Sequence, residues 1–235
     1  MNAGIAEICI EQLQSKDDDI TLYTLMLLVH LTKFVNQRAH LHRSGLIPVL
    51  TGNLAACEKD PRMRSRTLPE VCSVLGQMCV DEEAHAVCDS LQAVPMLISI
   101  FEKVTQGIRP GETIKPSSMK VMSKLSFALK QLCKSRESTA LVGQKIAPAL
   151  VGYLKHPNNL EHKDWATNTF LLLQALAIHK GTCKLVKRDE WEVLLKEIHA
   201  SQLGMVDVMH DRIKQLEERI NEVFPETHKT DKSKK

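Results

Sequence analysis

Ten histidines and seven cysteines are the side chains of this sequence best equipped to hold a metal or attack an electrophile. Cys72 and Cys79 share one helical face, and His85 and Cys88 follow closely. Even so, no C-x-x-C occurs and the spacing is not that of a zinc ligand set. An odd number of thiols, Cys9, Cys57, Cys72, Cys79, Cys88, Cys133 and Cys183, scattered over apolar helical stretches reads as reduced core cysteines. No disulfide and no metal are expected. His40 and His42 lie two residues apart and point to different helix faces. His156, His162 and His179 surround the corner Pro157-Asn158-Asn159 without a cysteine or carboxylate at metal spacing. There is no Gly-x-Ser-x-Gly, no His-Glu-x-x-His and no phosphate-cradling glycine loop. The expectation is a protein with no catalytic residues and no cofactor.

The sharpest charge feature is Lys59-Asp60-Pro61-Arg62-Met63-Arg64-Ser65-Arg66. As a loop it is either an ordinary solvated connection, or a place where Lys59, Arg62, Arg64 and Arg66 meet an acidic partner or an anionic lipid surface. With 31 basic against 28 acidic residues the net charge is +3, too slight for a nucleic-acid binder, which needs a dense basic stripe.

The elements that would position such groups are helices. Apolar residues make up 43% of 235 positions but aromatics only 4%, so Leu, Val, Ile, Ala and Met must do the packing. No stretch alternates apolar and polar residues long enough to predict a strand. Long apolar helices are predicted over Ile20–Val35, Leu68–Val80, Ser118–Lys134 and Trp165–His179. In the third, Met122, Leu125, Leu129 and Leu132 form a core stripe, and Thr67-x-x-Glu70 has capping-box spacing at the start of the second. Each long helix is followed by a short helix, a tight corner and another apolar helix. Pro48, Pro95 and Pro148 sit just inside that last helix, where a missing N–H costs nothing. The interval is about 50 residues, stretched in the middle by an insertion around Gly107-Ile108-Arg109-Pro110-Gly111. An incomplete first unit begins with Gly4–Gln14, a polar-faced final helix spans Met205–Val223, and residues 225–235 read as a disordered basic tail.

Ser44-Gly45-Leu46-Ile47-Pro48-Val49-Leu50 and Leu91-Gln92-Ala93-Val94-Pro95-Met96-Leu97, in this helical setting, resemble the most characteristic stretch of the armadillo repeat. The resemblance covers residues 1–224 as an incomplete first unit plus about four repeats. It implies an all-α, right-handed superhelix whose third helices line a groove for an extended peptide or a partner domain. Importin-α, within that family, carries a groove ladder of Trp and Asn. The matching Trp positions here hold Met26, Ser73, Phe127 and Leu171, and the Asn positions hold His30, Gln77, Gln131 and Ala175. With the ladder absent, nuclear import is not expected. The resemblance places Tyr23, Met26, His30, Glu70, Ser73, Gln77, Lys124, Phe127, Gln131, Asn168 and Leu171 along the groove.

A chain of little more than armadillo units also resembles the armadillo-repeats-only family of apicomplexan parasites. That family starts with an acylated Met-Gly-x-x-Cys-Cys, which Met1-Asn2-Ala3-Gly4 does not carry. The leading expectation is a monomeric, cytoplasmic scaffold that binds a protein or peptide partner. The alternative is a membrane-associated adaptor on the cytosolic face of an organelle. A lipidated segment missing from this chain would hold it there and link it to cytoskeletal or signalling partners. Met1-Asn2-Ala3-Gly4 is soon followed by polar positions, so no secretory leader is expected, and the longest apolar run, Leu25–Val29, is far shorter than the ~20 residues of a membrane span.

Overall fold

A computed structural model describes residues 3–109, 111–201, 203 and 207–225; the side chains of Ala3 and Val208 are not included. The described residues form fifteen α-helices and no strand. Helix α1 (Ala3–Gln12) leads to α2 (Asp18–Leu31), whose cap Asp17 accepts hydrogen bonds from the backbone N–H groups of Asp19 and Ile20. The short α3 (Val35–Arg43) turns at Gly45, φ +85°, into α4 (Leu46–Lys59). Only a residue tolerant of the left-handed region can make that corner without strain. Then follow α5 (Pro61–Arg66), α6 (Leu68–Met78), α7 (Glu82–Ser90) and α8 (Ala93–Thr105). Gln92 makes the second corner at φ +57°.

After the expected insertion come α9 (Pro116–Leu132), α10 (Arg136–Leu154), α11 (Pro157–Leu160) and α12 (Lys163–Ala177). The last described helices are α13 (Lys180–Cys183), α14 (Arg188–Ala200) and α15 (Asp207–Val223). Of the predicted tail 225–235, all but Pro225 lies outside the described residues, as do positions 205 and 206 at the predicted start of the last helix.

These helices pack as two rows of sequential neighbours. One row runs α2, α6, α9, α12, α15, and the other α4, α8, α10, α14. The short α3, α7 and α13 join them at three steps, while α9 passes directly into the long α10. Buried residues from Ala6 to Val223 form one apolar cluster between the rows, including the predicted stripe Met122, Leu125, Leu129 and Leu132.

Three local expectations change. The third corner does not break: α10 runs straight through Pro148, because no residue between Arg136 and Leu154 takes a left-handed conformation. The capping box at Thr67 does not form. Helix α5 ends immediately before it, so Thr67 keeps a helical backbone and its hydroxyl donates back to Met63 O at 2.9 Å. The basic "loop" is itself helical, ending α4 at Lys59 and forming α5. Asp60 caps α5 by accepting from Arg62 N at 2.8 Å, with Pro61 in the first turn, a start signal obscured by the surrounding charge.

Polar groups pin the rows together. Arg38 donates to Thr32 O at 3.1 Å and pairs with Asp81 at 2.9 Å, linking α3 to the cap of α7. Cations from the following unit reach the carbonyl ends of earlier helices. Lys103 Nζ donates to Glu58 O at 3.1 Å, and Lys134 Nζ to Cys79 O and Val80 O at 3.0 and 3.2 Å. Arg219 donates to Ala177 O and Ile178 O. Each places positive charge on the negative end of a helix dipole.

Gly143 marks the tightest approach between α10 and α13. A Cβ there would stand 2.2 Å from Thr182 Cγ2 and 2.7 Å from its Oγ1. Thr182 is buried and β-branched, so it has little rotamer freedom to yield. Gly143→Ala gains about 1 kcal/mol of helix propensity but overpacks by up to about 3 kcal/mol. The expected net loss is about 2 kcal/mol, a fall in melting temperature of about 4–8 °C for a chain of this size, partly restored by Thr182→Ala. A melting temperature that rises would show that the contact relaxes freely.

Candidate functional site

Helices buried on most sides leave only a narrow stripe uncovered, and on the row α2, α6, α9, α12 these stripes lie side by side. On α2 the stripe is Tyr23, Met26, Leu27 and His30, all exposed. On α6 it is Glu70 and Gln77, both half-buried; Gly76, next to Gln77, is buried. Lys124, Phe127 and Gln131 form it on α9, and Asn168 and Leu171 on α12, all half-buried. Register between neighbouring helices is fixed by polar pairs. The Thr32 hydroxyl meets the Gln77 amide, and Asn168 Nδ2 donates to Ser123 Oγ at 2.9 Å. Gln174 Nε2 donates to Gln215 Oε1 at 2.8 Å.

Ser73 departs from the expected lining. It is 3% exposed and its hydroxyl turns back to Pro69 O at 2.8 Å, so it presents nothing to a ligand. The place is taken by Phe127, whose ring lies over Gly76; a Cβ on that glycine would be 2.5 Å from ring Cε1. The missing side chain on α6 makes room for the aromatic on α9.

The second expected surface is largely spent on the fold. Arg64 donates to Cys57 O and Glu58 O at 3.2 and 2.8 Å, closing the carbonyl end of α4, and Arg66 pairs with Asp19. Lys59 and Arg62 remain exposed.

Two clefts open along the stripes. One, of about 600 Å³, lies between the N-terminal ends of α9 and α12, with Lys120, Lys124 and Lys163 facing Glu161 and Asp164. The other, of about 180 Å³, lies where Lys130 of α9, Leu171 and Ile178 of or beside α12, and Arg212 and Arg219 of α15 converge. Sequence reading passed over the second. Its signal was available: α9 contains Lys120, Lys124 and Lys130 and no acidic residue.

Cys72, Cys79, Cys133 and Cys183 are held protonated rather than activated. Burial pushes Cys72 well above the ordinary thiol value and Cys133 up to about 12. Cys183 rises to about 11, also through burial. Cys79 rises because it hydrogen-bonds Cys88, sulfur to sulfur 3.3 Å, and is buried. A thiol held protonated is a poor nucleophile and a poor metal ligand. Cys72, Cys79 and His85 do not converge on a common point. His85 Nε2 instead lies 2.8 Å from Leu132 O and its Nδ1 3.4 Å from Asp89. Among the described residues no group of three or more His, Cys, Asp or Glu could hold a metal ion, and no single helix is long and apolar enough to cross a membrane. No protein-family model and no curated protein sequence matches the chain.

Proposed function

We propose that the two rows are the inner and outer layers of a right-handed armadillo-type superhelix, and that the chain is a non-catalytic scaffold binding a partner protein or extended peptide along the inner face. The observation that carries this reading is the set of aligned uncovered stripes on α2, α6, α9 and α12, which combine apolar anchors with amides. Tyr23, Met26, Phe127 and Leu171 suit a partner's side chains, while Gln77, Gln131 and Asn168 suit its backbone N–H and C=O groups. Seven thiols without a disulfide suit a reducing compartment such as the cytoplasm.

The test separates fold from binding. Phe127 is half-buried on bare Gly76, so Phe127→Ala should cost only about 1–2 kcal/mol of stability, below the 3–5 kcal/mol of a core phenylalanine. Losing a central aromatic anchor should weaken partner binding by about 2 kcal/mol or more, roughly thirtyfold. Gln131→Ala should cost about 1 kcal/mol of binding. Melting is measured first, then affinity for a partner isolated on the wild-type chain. Variants that melt and bind normally would remove the inner face from consideration and turn attention to Lys59 and Arg62.

A further inference from the structure

Beyond its first turn the uncovered stripe of α9 carries three lysines and no carboxylate. Lys120, Lys124, Phe127, Lys130 and Gln131 are its outward residues, and the opposite side of the helix is buried. Lys120, Lys124, Lys130 and Arg212 make no hydrogen bond or ion pair with any described residue. This contrasts with Lys103, Lys134 and Arg219, whose charges are committed to helix ends. Among the described residues no carboxylate lines the cleft at Lys130. Lys130 is half-buried there, and burial together with the charge of Arg212 holds its ammonium below the usual lysine range. A half-buried ammonium beside an exposed guanidinium, with no counter-charge lining the cleft, is unfavourable unless something anionic joins them. The floor beside them is apolar, Leu171 and Ile178, the latter 61% exposed. Gln215 already accepts from Gln174 and keeps its own amide N–H groups to donate.

We propose that this cleft takes a carboxylate side chain of an extended, acidic partner segment, with Lys130 and Arg212 pairing the carboxylate and Ile178 covering a neighbouring apolar residue. The segment continues over Phe127 toward Lys124 and Lys120. The proposal rests on the scaffold reading and adds to it the charge of the partner. A peptide fits better than a nucleic acid. The free cations are few, and among the described residues of α9 and of the two clefts the aromatics are Phe127 and the buried Trp165, whereas a stacking platform needs several exposed rings.

The experiment is selection of displayed random twelve-residue peptides on the whole chain, followed by affinity measurement on the enriched sequences. The expected result is enrichment of Asp/Glu-containing peptides with interspersed apolar residues, bound more weakly as salt rises. Lys130→Gln and Arg212→Gln should each weaken these peptides about tenfold with unchanged melting, whereas Lys59→Gln, on α4, should not. Acidic peptides indifferent to both cleft substitutions would overturn the proposal. Enrichment of neutral or basic peptides that lose binding in Phe127→Ala would overturn it too, while leaving the scaffold reading intact. No enrichment at all would overturn both. A twelve-nucleotide single-stranded RNA that outcompetes the selected peptides would replace the acidic peptide with a nucleic acid.

Discussion

Asn159→Asp should destabilise the protein by about 3–4 kcal/mol at neutral pH, far more than an isosteric exchange on a surface. Asn159 is fully buried, and its amide nitrogen donates to Tyr153 O at 2.9 Å and Glu112 O at 3.0 Å. Its amide oxygen accepts from Ile114 N at 2.9 Å. The group therefore fastens the insertion, with buried Ile114, onto the junction of α10 and α11. A carboxylate keeps the acceptor but replaces the amide nitrogen, and with it both N–H donors, by one oxygen facing two carbonyls. Tyr153 O keeps the His156 N–H at 3.3 Å, so the loss lies with the new oxygen: a buried polar atom without a donor costs about 1–3 kcal/mol, and its unpaired charge adds to that. Asn159→Ala, which brings no charge, should lose about 2 kcal/mol. The sign with pH is diagnostic. The introduced carboxyl titrates higher folded than unfolded, so stability is recovered below the ordinary carboxylate range and lost as pH rises through the folded value. An aspartate variant as stable at pH 7 as at pH 4 would show that the new oxygen finds a donor.

Alkaline pH should destabilise the wild-type chain from about pH 9 upward. Cys9, Cys57, Cys72, Cys79, Cys133 and Cys183 all have thiol values raised above 9.0 in the folded state, chiefly by burial or, for Cys79, by the Cys88 hydrogen bond. A raised folded value means the stabilising contribution is complete below the unfolded value and is lost as pH climbs through the folded one. The window is pH 9 to about 12. One pH unit above the unfolded value, each fully protected thiol costs about 1.4 kcal/mol, and the six together cost on the order of 5 kcal/mol, a large share of a typical domain's stability. Melting at pH 8 and pH 10 reads the loss, and Cys72→Ala should flatten the slope between them. Equal melting temperatures at the two pH values would mean that the thiols ionise as easily folded as unfolded.

How far the sequence discloses this arrangement depends on whether the informative residues are local. The helical class, the insertion at Gly107 and Gly111, and the corners at Gly45 and Gln92 follow from nearby apolar spacing and turn residues. Pro148 misleads because the same residue type that marks a first turn at Pro48 and Pro95 is absorbed into a continuous helix. Helix α5 hides because its charges look like a solvated loop while Asp60 and Pro61 quietly start it. The outward residues of α9 fall at legible helical spacing, but Ser73 does not announce that its hydroxyl turns inward and Gly76 makes the room. The meeting of Lys130 with Arg212, and the three bonds of Asn159, join distant segments, and single-sequence patterns carry no signal for such pairs.

The cations that close the helix ends also set a schedule for a chain made from one end. Lys103, Lys134 and Arg219 lie 41 to 55 residues downstream of the carbonyls they cover. At typical synthesis rates of 5–20 residues per second, each finished helix waits roughly 2 to 11 seconds for its closing charge. During that interval its apolar flank is also open, because the next helix of the row has not emerged. The growing polypeptide thus always carries one unfinished edge, which moves along with translation and is the surface that a ribosome-associated chaperone would meet.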